Sequence, residues 1–154
     1  MIDLKIKKLH PDAKIPQYAT DGSAGLDLTC VSIEDVFPCT YKKISESTSI
    51  STSPSKYCTG LAMEIPKGYV GLLFPRSSVF KTKMSMANCV GVIDSDYRGE
   101  VSAIFYTDNC YDPYEVGDRC CQLVLMKLPE VNIVEVDELS ETERGSGGYG
   151  STGK

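Results

Sequence analysis

Histidine and paired-cysteine motifs are scarce in this chain, which argues against a zinc site. His10 is the only histidine, and no two cysteines are spaced as C-x-x-C. The odd number of cysteines indicates free thiols in a reducing cytoplasm rather than a disulfide framework. Adjacent Cys120 and Cys121 are interpreted as alternating positions of one strand, not as a redox switch. The seven cysteines are Cys30, Cys39, Cys58, Cys89, Cys110, Cys120 and Cys121.

Long apolar runs and a positive net charge are also lacking. The opening residues, MIDLKIKKLH, contain no apolar signal core, and no stretch is long enough to span a membrane. The formal net charge is −5, whereas binding along a nucleic-acid backbone needs a basic face. We therefore expect a cytoplasmic protein that binds neither membranes nor nucleic acids. A local cluster of donors could still hold a small anion.

Apolar residues recur with period two along a chain of 154 residues, which fits one compact domain. Strands are predicted at 101–106, 121–128 and 131–136, between turns rich in Gly, Pro and Asp. No long helical stripe occurs, and one short helix is predicted around 78–83. Many short strands with regular turns predict an all-β antiparallel barrel or sandwich.

Two segments have a composition unlike the rest. Residues 43–57, KISESTSISTSPSKY, are interpreted as a surface loop or a hairpin extension. Residues 144–154, RGSGGYGSTGK, include five glycines and are expected to be mobile when no ligand is bound. Glycine-rich backbone can wrap an anion, and the lone aromatic ring of Tyr149 can stack on a base. The alternative for this tail is a disordered end without a function.

Arginine is rare: the chain has four arginines against twelve lysines. The planar guanidinium suits bidentate contact with phosphate or carboxylate. Ligand binding is favoured for Arg76, which lies in PRSS at a predicted helix start, and for Arg144 in the tail. Both structural and ligand-binding roles are open for Arg98, and a structural salt bridge is favoured for Arg119. The chain has no GxxxxGK loop, so a Walker-type nucleotidase is not expected.

A carboxylate among apolar residues stands out in 88–100, NCVGVIDSDYRGE. The segment is predicted to form a β-hairpin with Asp94 near its tip, partly buried beside Val92 and Ile93. Partial burial makes a carboxylate a better base. Asn88 offers a donor and an acceptor that can match the edge of a base. An ordinary Asp-rich turn is the alternative.

In chain order, five segments resemble the five motifs of the trimeric dUTP diphosphatases (dUTPases). They are AGLDL at 24–28, PRSS at 75–78, NCVGVIDSDYRGE at 88–100, GDRCCQL at 117–123 and RGSGGYGSTG at 144–153. Each is weak alone, but five in order form a specific match. The resemblance implies a jelly-roll-like β-barrel or sandwich at 1–143 and a flexible C-terminal arm at 144–154 that closes the active site.

The resemblance also implies an activity, namely Mg²⁺-assisted hydrolysis of dUTP to dUMP and pyrophosphate by water attack on the α-phosphorus. It implies a homotrimer whose active sites are shared: one subunit supplies motifs one, two and four, a neighbour the third, and another subunit's arm the fifth. Asp94 is the implied general base. Asp27 is implied to hold a water of a magnesium ion that is bound mainly by the substrate phosphates.

Substrate-binding roles carry over from the family motifs in the same way. The implied uracil readers are Asn88, Gly91, Val92 and Ile93. The implied phosphate ligands are Arg76, Ser77, Ser78, Gln122 and Arg144. Tyr97 is expected to pack against the deoxyribose. The arm is expected to contribute Tyr149, whose ring stacks on uracil, with Gly150 and Ser151.

Four features depart from the family pattern. Tyr149 stands where the family usually has Phe, and Ser78 stands where Gly is frequent. The stretch between the second and third motifs is about one residue shorter than in common bacterial members, and residues 33–57 are longer than usual. One alternative function is a dCTP deaminase of the same fold, but that enzyme needs a glutamate base, and VIDSDY follows the hydrolase pattern. The other is a non-catalytic jelly-roll binding or regulatory module, which the intact motif residues disfavour.

Overall fold

The computed structural model describes residues 2–36, 41–45, 48–51, 53–107 and 112–148. Only the backbone is described for residues 41–45, 48–51, 53 and 107. Within these ranges the chain forms strands and one short helix, α1 at Val79–Thr82. The strands are β1 Lys5–Lys8, β2 Leu26–Thr29, β3 Ser32–Asp35, β4 Tyr41–Ser45, β5 Thr48–Ser51, β6 Ser53–Glu64, β7 Tyr69–Pro75, β8 Ser85–Met86, β9 Gly91–Ile93, β10 Glu100–Thr107 and β11 Arg119–Lys127.

The strands form two larger antiparallel sheets and one hairpin. The first sheet has the order β1-β6-β10-β8, and β3 pairs with the same long strand β6. The second sheet has the order β2-β11-β7-β9, and β4 pairs with β5 alone. The prediction of an all-β antiparallel fold with at most one short helix is confirmed.

The core consists of apolar side chains from both larger sheets. Three aromatic rings, of Tyr57, Phe105 and Tyr114, meet edge to face with centroid distances of 5.5–6.3 Å. Around them, Leu28 and Leu123 of the second sheet are fully buried. Each such side chain contributes about 1.5–3 kcal/mol through burial. The core therefore fixes the four-stranded sheet that carries most of the predicted site.

Residues 131–136 do not form the predicted strand. The chain leaves the second sheet after Lys127, and the described backbone of 131–136 has no ladder partner. Ile133 is 91 % exposed and Val131 is 74 % exposed. An alternating apolar pattern forms a strand only where a second strand supplies hydrogen bonds, and the single chain supplies none here.

The segment 43–57 divides between two structures. Its first part lies in the hairpin of β4 and β5, as the hairpin alternative predicted. Its last residues, 53–57, instead belong to β6 and pair with β10 and β3, so a loop there was the wrong prediction. None of the described helices is long and apolar enough to cross a membrane.

Candidate active site

A carboxylate bound by two arginines forms the centre of the site. The Arg76 guanidinium donates from Nε to Asp27 Oδ1 at 2.9 Å and from Nη2 to Oδ2 at 3.2 Å. Arg119 Nη1 donates to Oδ2 of the same carboxylate at 2.9 Å. The Asp27 side chain is 14 % exposed, and a charge so far from water is tolerated because it is paired. The cluster carries a net charge of one positive unit.

Three adjacent strands bring these groups together. Asp27 lies in β2 opposite Gln122 of β11, and Pro75 at the end of β7 lies opposite Cys121. Arg76 follows that proline directly, so its side chain reaches across the ends of β11 and β2. The first, second and fourth motifs thus converge through sheet pairing.

The amide of Gln122 extends this centre into a pocket. Its Nε2 donates to the carbonyl of Pro75 at 3.1 Å. A Cβ at Gly25 would lie 2.6 Å from Gln122 Oε1, so glycine is what lets the amide approach β2. The open pocket measures about 300 Å³ and is lined by Ala19, Ser23, Ala24, Gly25, Asp27, Arg76, Ser77 and Gln122.

Ser78, the second serine of the PRSS segment, lies at the start of helix α1. Ser78 is the N-cap residue of α1 but makes no side-chain capping bond. Ser77 is exposed at the mouth of the pocket. Hydroxyl, amide and guanidinium donors around one cavity form a site suited to an oxyanion.

The segment containing Asp94 differs from the predicted hairpin. Strand β9 pairs with β7, whereas the following strand β10 pairs with β6 and β8, so the segment crosses between sheets. Asp94 begins the turn between them, and its carbonyl accepts from the Tyr97 amide at 3.2 Å. Its side chain is exposed, not partly buried as predicted, because the turn leaves the edge of the sheet and is uncovered in the single chain.

Arg98 and Tyr97 hold this turn in shape. Arg98 Nη1 donates to the carbonyls of Ser95 at 2.7 Å and Tyr97 at 2.9 Å. The Tyr97 hydroxyl donates to the Glu100 carbonyl at 3.1 Å, and its ring covers Gly99 so closely that a Cβ there would overlap it. Of the two roles left open for Arg98, the contacts are structural.

Of the four residues expected to bind the uracil edge, three form β9 and Asn88 precedes that strand. Gly91 is buried, and a Cβ there would approach Leu73 Cβ at 3.1 Å and Asn88 Nδ2 at 3.6 Å. The structure therefore places Asn88 beside Gly91. Val92 is exposed, whereas Ile93 packs against the core.

Asp94 and Arg76 lie at opposite ends of β7. Ile93 pairs with Gly71, so Asp94 follows beside Val70, whereas Arg76 comes after the last residue of the strand. Six residues of strand span roughly 20 Å. Accordingly, Asp94 lines a separate surface pocket with Gly68, Tyr69, Val70, Ser95, Asp96 and Leu128. One chain therefore does not bring Asp94, the expected base, close to the pocket lined by Asp27, Arg76 and Gln122 (the arginine pocket).

The start of the C-terminal arm forms a local turn. Arg144 Nε donates to the Gly147 carbonyl at 2.9 Å, and the Gly145 amide donates to the Thr142 carbonyl at 3.1 Å. The described bonds of Arg144 thus stay within its own turn. Tyr149, Gly150 and Ser151 lie outside the described residues.

The donor set fits a metal ion only in company with phosphate. No group of three His, Cys, Asp or Glu side chains capable of holding a metal occurs among the described residues. Asp27 is a single carboxylate with three of about four acceptor positions taken by arginine, so one remains on Oδ1. Mg²⁺ commonly binds through one or two carboxylates, retained waters and substrate phosphates, which this arrangement permits.

Gly25 and Arg119 were not among the predicted site residues. Gly25 lies in the first family motif, AGLDL, and membership of that motif was the sequence signal that could have identified it. Arg119 was expected to form a structural salt bridge, and it does form an ion pair, but with the central Asp27. Alternation along β11 would place Arg119 and Gln122 on opposite faces, so no simple pattern could have found this contact.

Comparisons with known proteins agree with these motifs. The family model described as dUTPase matches residues 11–153. The deoxyuridine 5'-triphosphate nucleotidohydrolase of Nautilia profundicola is 44 % identical over 154 residues, covering 98 % of this chain and 99 % of that protein. The protein of the same name from Hydrogenobaculum sp. is 41 % identical over 154 residues, covering 97 % of each.

Solved structures agree as well. The dUTPase of Staphylococcus bacteriophage 80alpha, in complex with dUPNHPP, matches with a TM-score of 0.75 and 26 % identity, covering 100 % of both chains. The expected jelly-roll-like fold is confirmed. With a family model across most of its length and relatives above two-fifths identity, the chain belongs to the dUTPase family.

Proposed function

We propose that this protein hydrolyses dUTP to dUMP and pyrophosphate. The observation that carries the proposal is the convergence of Asp27, Arg76 and Gln122, from three family motifs, on one oxyanion pocket. The named relatives from Nautilia profundicola and Hydrogenobaculum sp. are deoxyuridine 5'-triphosphate nucleotidohydrolases, which supports the same substrate here.

The pocket holds the triphosphate chain. The phosphate donors are Arg76, Ser77, Ser78 and Gln122. Arg76 is oriented by its two bonds to Asp27, so little freedom is lost when phosphate binds. When bound with the substrate, Mg²⁺ would offset the phosphate charge and align the chain. The acceptor position left on Asp27 Oδ1 would hold one of its waters.

The nucleoside half of the site comes from the segment that crosses between the sheets. Asn88, with the backbone of Gly91, Val92 and Ile93, hydrogen-bonds the uracil edge, and Tyr97 packs against the deoxyribose. Asp94 orients a water toward the α-phosphorus and takes its proton. Such general-base catalysis contributes about 10²–10⁴-fold in rate.

The two halves come from different copies of the chain. In one copy they lie roughly 20 Å apart, at the two ends of β7. The exposed apolar residues Val131, Ile133 and Leu139 favour burial against another subunit. We propose a homotrimer in which the Asp94 segment of one subunit faces the arginine pocket of another, with the solution mass as the direct test.

The C-terminal arm closes the site over bound nucleotide. The division is a β domain at 1–143 and an arm at 144–154. Arg144 exchanges its bond to the Gly147 carbonyl for the γ-phosphate, and Tyr149 stacks on uracil with Gly150 and Ser151 beside it. Residues 129–146 and 148 are exposed and Gly147 is half-buried, which supports an arm that can move without disturbing the core.

The state of the cysteines supports a reducing compartment. The described cysteines are free, and Cys120 Sγ lies 3.7 Å from Cys121 Sγ, well beyond the ~2.05 Å of a disulfide. Free thiols persist in the cytoplasm, where reductants keep them reduced. We place the enzyme there.

Product analysis tests the proposed reaction. The protein is incubated with Mg²⁺ and dUTP, dTTP, UTP or dCTP in ¹⁸O-water. We expect pyrophosphate from dUTP alone, with the label in dUMP because water attacks the α-phosphorus. Label in pyrophosphate would refute that point of attack. Ammonia from dCTP would indicate the deaminase, and no turnover would indicate a binding module.

A further inference from the structure

Arg119 touches both partners of the central ion pair. Its Nη1 donates to Asp27 Oδ2 at 2.9 Å, and its carbonyl accepts from Arg76 Nη1 at 3.4 Å. The Arg119 side chain is 54 % exposed, whereas that of Asp27 is 14 % exposed. Arg119 therefore binds the carboxylate from a more exposed position, and it does not itself line the pocket.

A β-bulge directs Arg119 to this position. Arg119 lies opposite Thr29 and Cys121 lies opposite Leu28, so two steps along β11 match one step along β2. The bulge breaks the alternation predicted for Cys120 and Cys121: both side chains are buried, with their sulfurs 3.7 Å apart. Bulges re-aim side chains and occur frequently beside active sites.

The thiols below the bulge do not share this charged role. Contact with Cys120, together with burial, raises the pKa of the Cys121 thiol well above its ordinary value. The Cys121 thiol therefore stays neutral near pH 7, and both buried side chains pack beneath the strand. The charge balance of the pocket thus depends on Asp27, Arg76 and Arg119.

The second arginine, Arg119, sets the net charge of the cluster. Asp27 orients Arg76, but its negative charge would repel a triphosphate. With Arg76 alone the pair is neutral, whereas Arg119 leaves the cluster with one positive charge. One charge gained within several ångströms of an anion changes its affinity by roughly tenfold at a partly exposed site.

We propose that Arg119 is a positioning residue of the phosphate pocket: it holds and neutralises Asp27, and through Asp27 it fixes the direction of Arg76. The role rests on the proposed function, because it concerns the same phosphate-binding pocket. It is carried by the bulge and the three contacts of the cluster. It adds a functional residue from the fourth motif besides Gln122.

The test compares Arg119→Gln and Arg119→Lys with wild type. We expect Arg119→Gln to raise KM for dUTP roughly tenfold and to change kcat by less than about threefold. The bound substrate and the transition state lose the same attraction to the Arg119 charge, so the barrier between them changes little. Arg119→Lys should stay within about threefold of wild-type KM, since an ammonium keeps the charge and one donor. Lys5→Gln, which breaks the exposed Lys5–Glu64 pair on the other sheet, is the matched control.

A second measurement tests anion binding by the pocket independently of dUTP hydrolysis. Calorimetric titration with inorganic tripolyphosphate measures the anion pocket without turnover, and Arg119→Gln should weaken binding roughly tenfold. Unchanged binding and KM in folded Arg119→Gln would refute the positioning role even if wild type hydrolyses dUTP. Weakened tripolyphosphate binding without dUTP turnover by wild type would refute the proposed reaction alone. Loss of kcat at constant KM would also overturn the positioning role.

Discussion

At the scale of single residues, one carboxylate organises the pocket that we propose for phosphate. Asp27 accepts three hydrogen bonds from two guanidinium groups, and this network repays much of the cost of removing its charge from water. Charge-assisted bonds of this kind are directional, so they hold Arg76 in one orientation before substrate arrives.

Substitution of Gly25 tests the approach of Gln122 to β2. A Cβ at Gly25 would lie 2.6 Å from Gln122 Oε1 and would displace the amide from the Pro75 carbonyl. We predict that Gly25→Ala raises KM for dUTP roughly three- to tenfold, the worth of one hydrogen bond, with an intact fold. Gly22→Ala is the control, because a Cβ at Gly22 meets nothing within 4 Å. Equal KM values for the two variants would contradict the role of Gln122.

Substitution of Asp94 tests the general base. The amide of Asp94→Asn cannot accept a proton, so we predict a loss of kcat of about 10²–10⁴-fold. The side chain is exposed and asparagine has nearly the same size and shape, so the melting temperature should not change. Binding of a non-hydrolysable imido analogue of dUTP should also persist. Near-normal turnover would remove Asp94 from the mechanism.

The motifs supplied the candidate site residues, but not the contacts among them. Asp27 was expected to serve a metal-bound water, and the structure also pairs it with Arg76 and Arg119, contacts that the motifs did not predict. The contact of Arg119 depends on a bulge, which breaks the period-two rule used to read strands. Burial of Asp94 was predicted from apolar neighbours in sequence, but Val92 beside it points to solvent.

At the scale of elements, the connection between β9 and β10 decides where Asp94 lies. The two strands belong to different sheets, so the turn at Asp94 sits on the rim between them. Bonds from Arg98 to two carbonyls give that turn a fixed shape without core packing. A turn that is rigid and exposed is suited to reach into a site on another molecule.

Removal of residues 144–154 tests the arm as an element. The described residues 144–148 contribute no buried side chain to the core. We predict that the truncated protein keeps its melting temperature and its oligomeric mass, while kcat/KM for dUTP falls by more than about tenfold, because closure over the substrate is lost. Circular dichroism, light scattering and kinetics measure these quantities. An unfolded truncated protein would show that the arm is structural.

Strands whose apolar faces pack against the core could be predicted from the sequence, whereas the structures of segments 131–136 and 53–57 could not. Segments 101–106 and 121–128 fall largely within β10 and β11, because their apolar faces meet the core. Segment 131–136 shows the same alternation but has no partner strand among the described residues. The polar composition of residues 53–57 favoured a loop. They instead form part of β6, because that strand pairs with β10 on one side and with β3 on the other.

At the scale of the whole molecule, the buried titratable groups make stability sensitive to alkali. Burial raises the pKa of Cys30 from 9.0 to about 12 and that of Tyr57 from 10.0 to about 12. The unfolded chain therefore loses these protons at lower pH than the folded protein. The free energy of unfolding should be unaffected by them below about pH 9 and should fall above it, by up to about 1.4 kcal/mol per pH unit for each group.

Denaturation by urea at pH 7–11 measures this decline. Cys30→Ala should make it shallower, because one buried acidic group is removed. Cys89→Ser is the matched control, since the Cys89 side chain is exposed and its loss should leave the slope unchanged. A free energy of unfolding that stays constant to pH 11 would contradict the expected linkage.

The arrangement of the two half-sites has a consequence for the whole assembly. A single subunit holds the arginine pocket at one end of β7 and Asp94 at the other, each open to solvent. Under the proposed mechanism, neither half acts on the α-phosphorus alone. The proposal therefore requires contact between copies, and a subunit with one defective half-site would be complemented by a subunit in which that half-site is intact.

Complementation between subunits tests this dependence most directly. Arg76→Gln and Asp94→Asn proteins, each inactive alone, are mixed, unfolded together and refolded into mixed trimers. If the base of one chain serves the pocket of another, about a quarter of the sites in a random mixture combine two intact halves. We predict recovery of about that fraction of wild-type turnover of dUTP. Mixed trimers with no more activity than either variant alone would contradict the shared site.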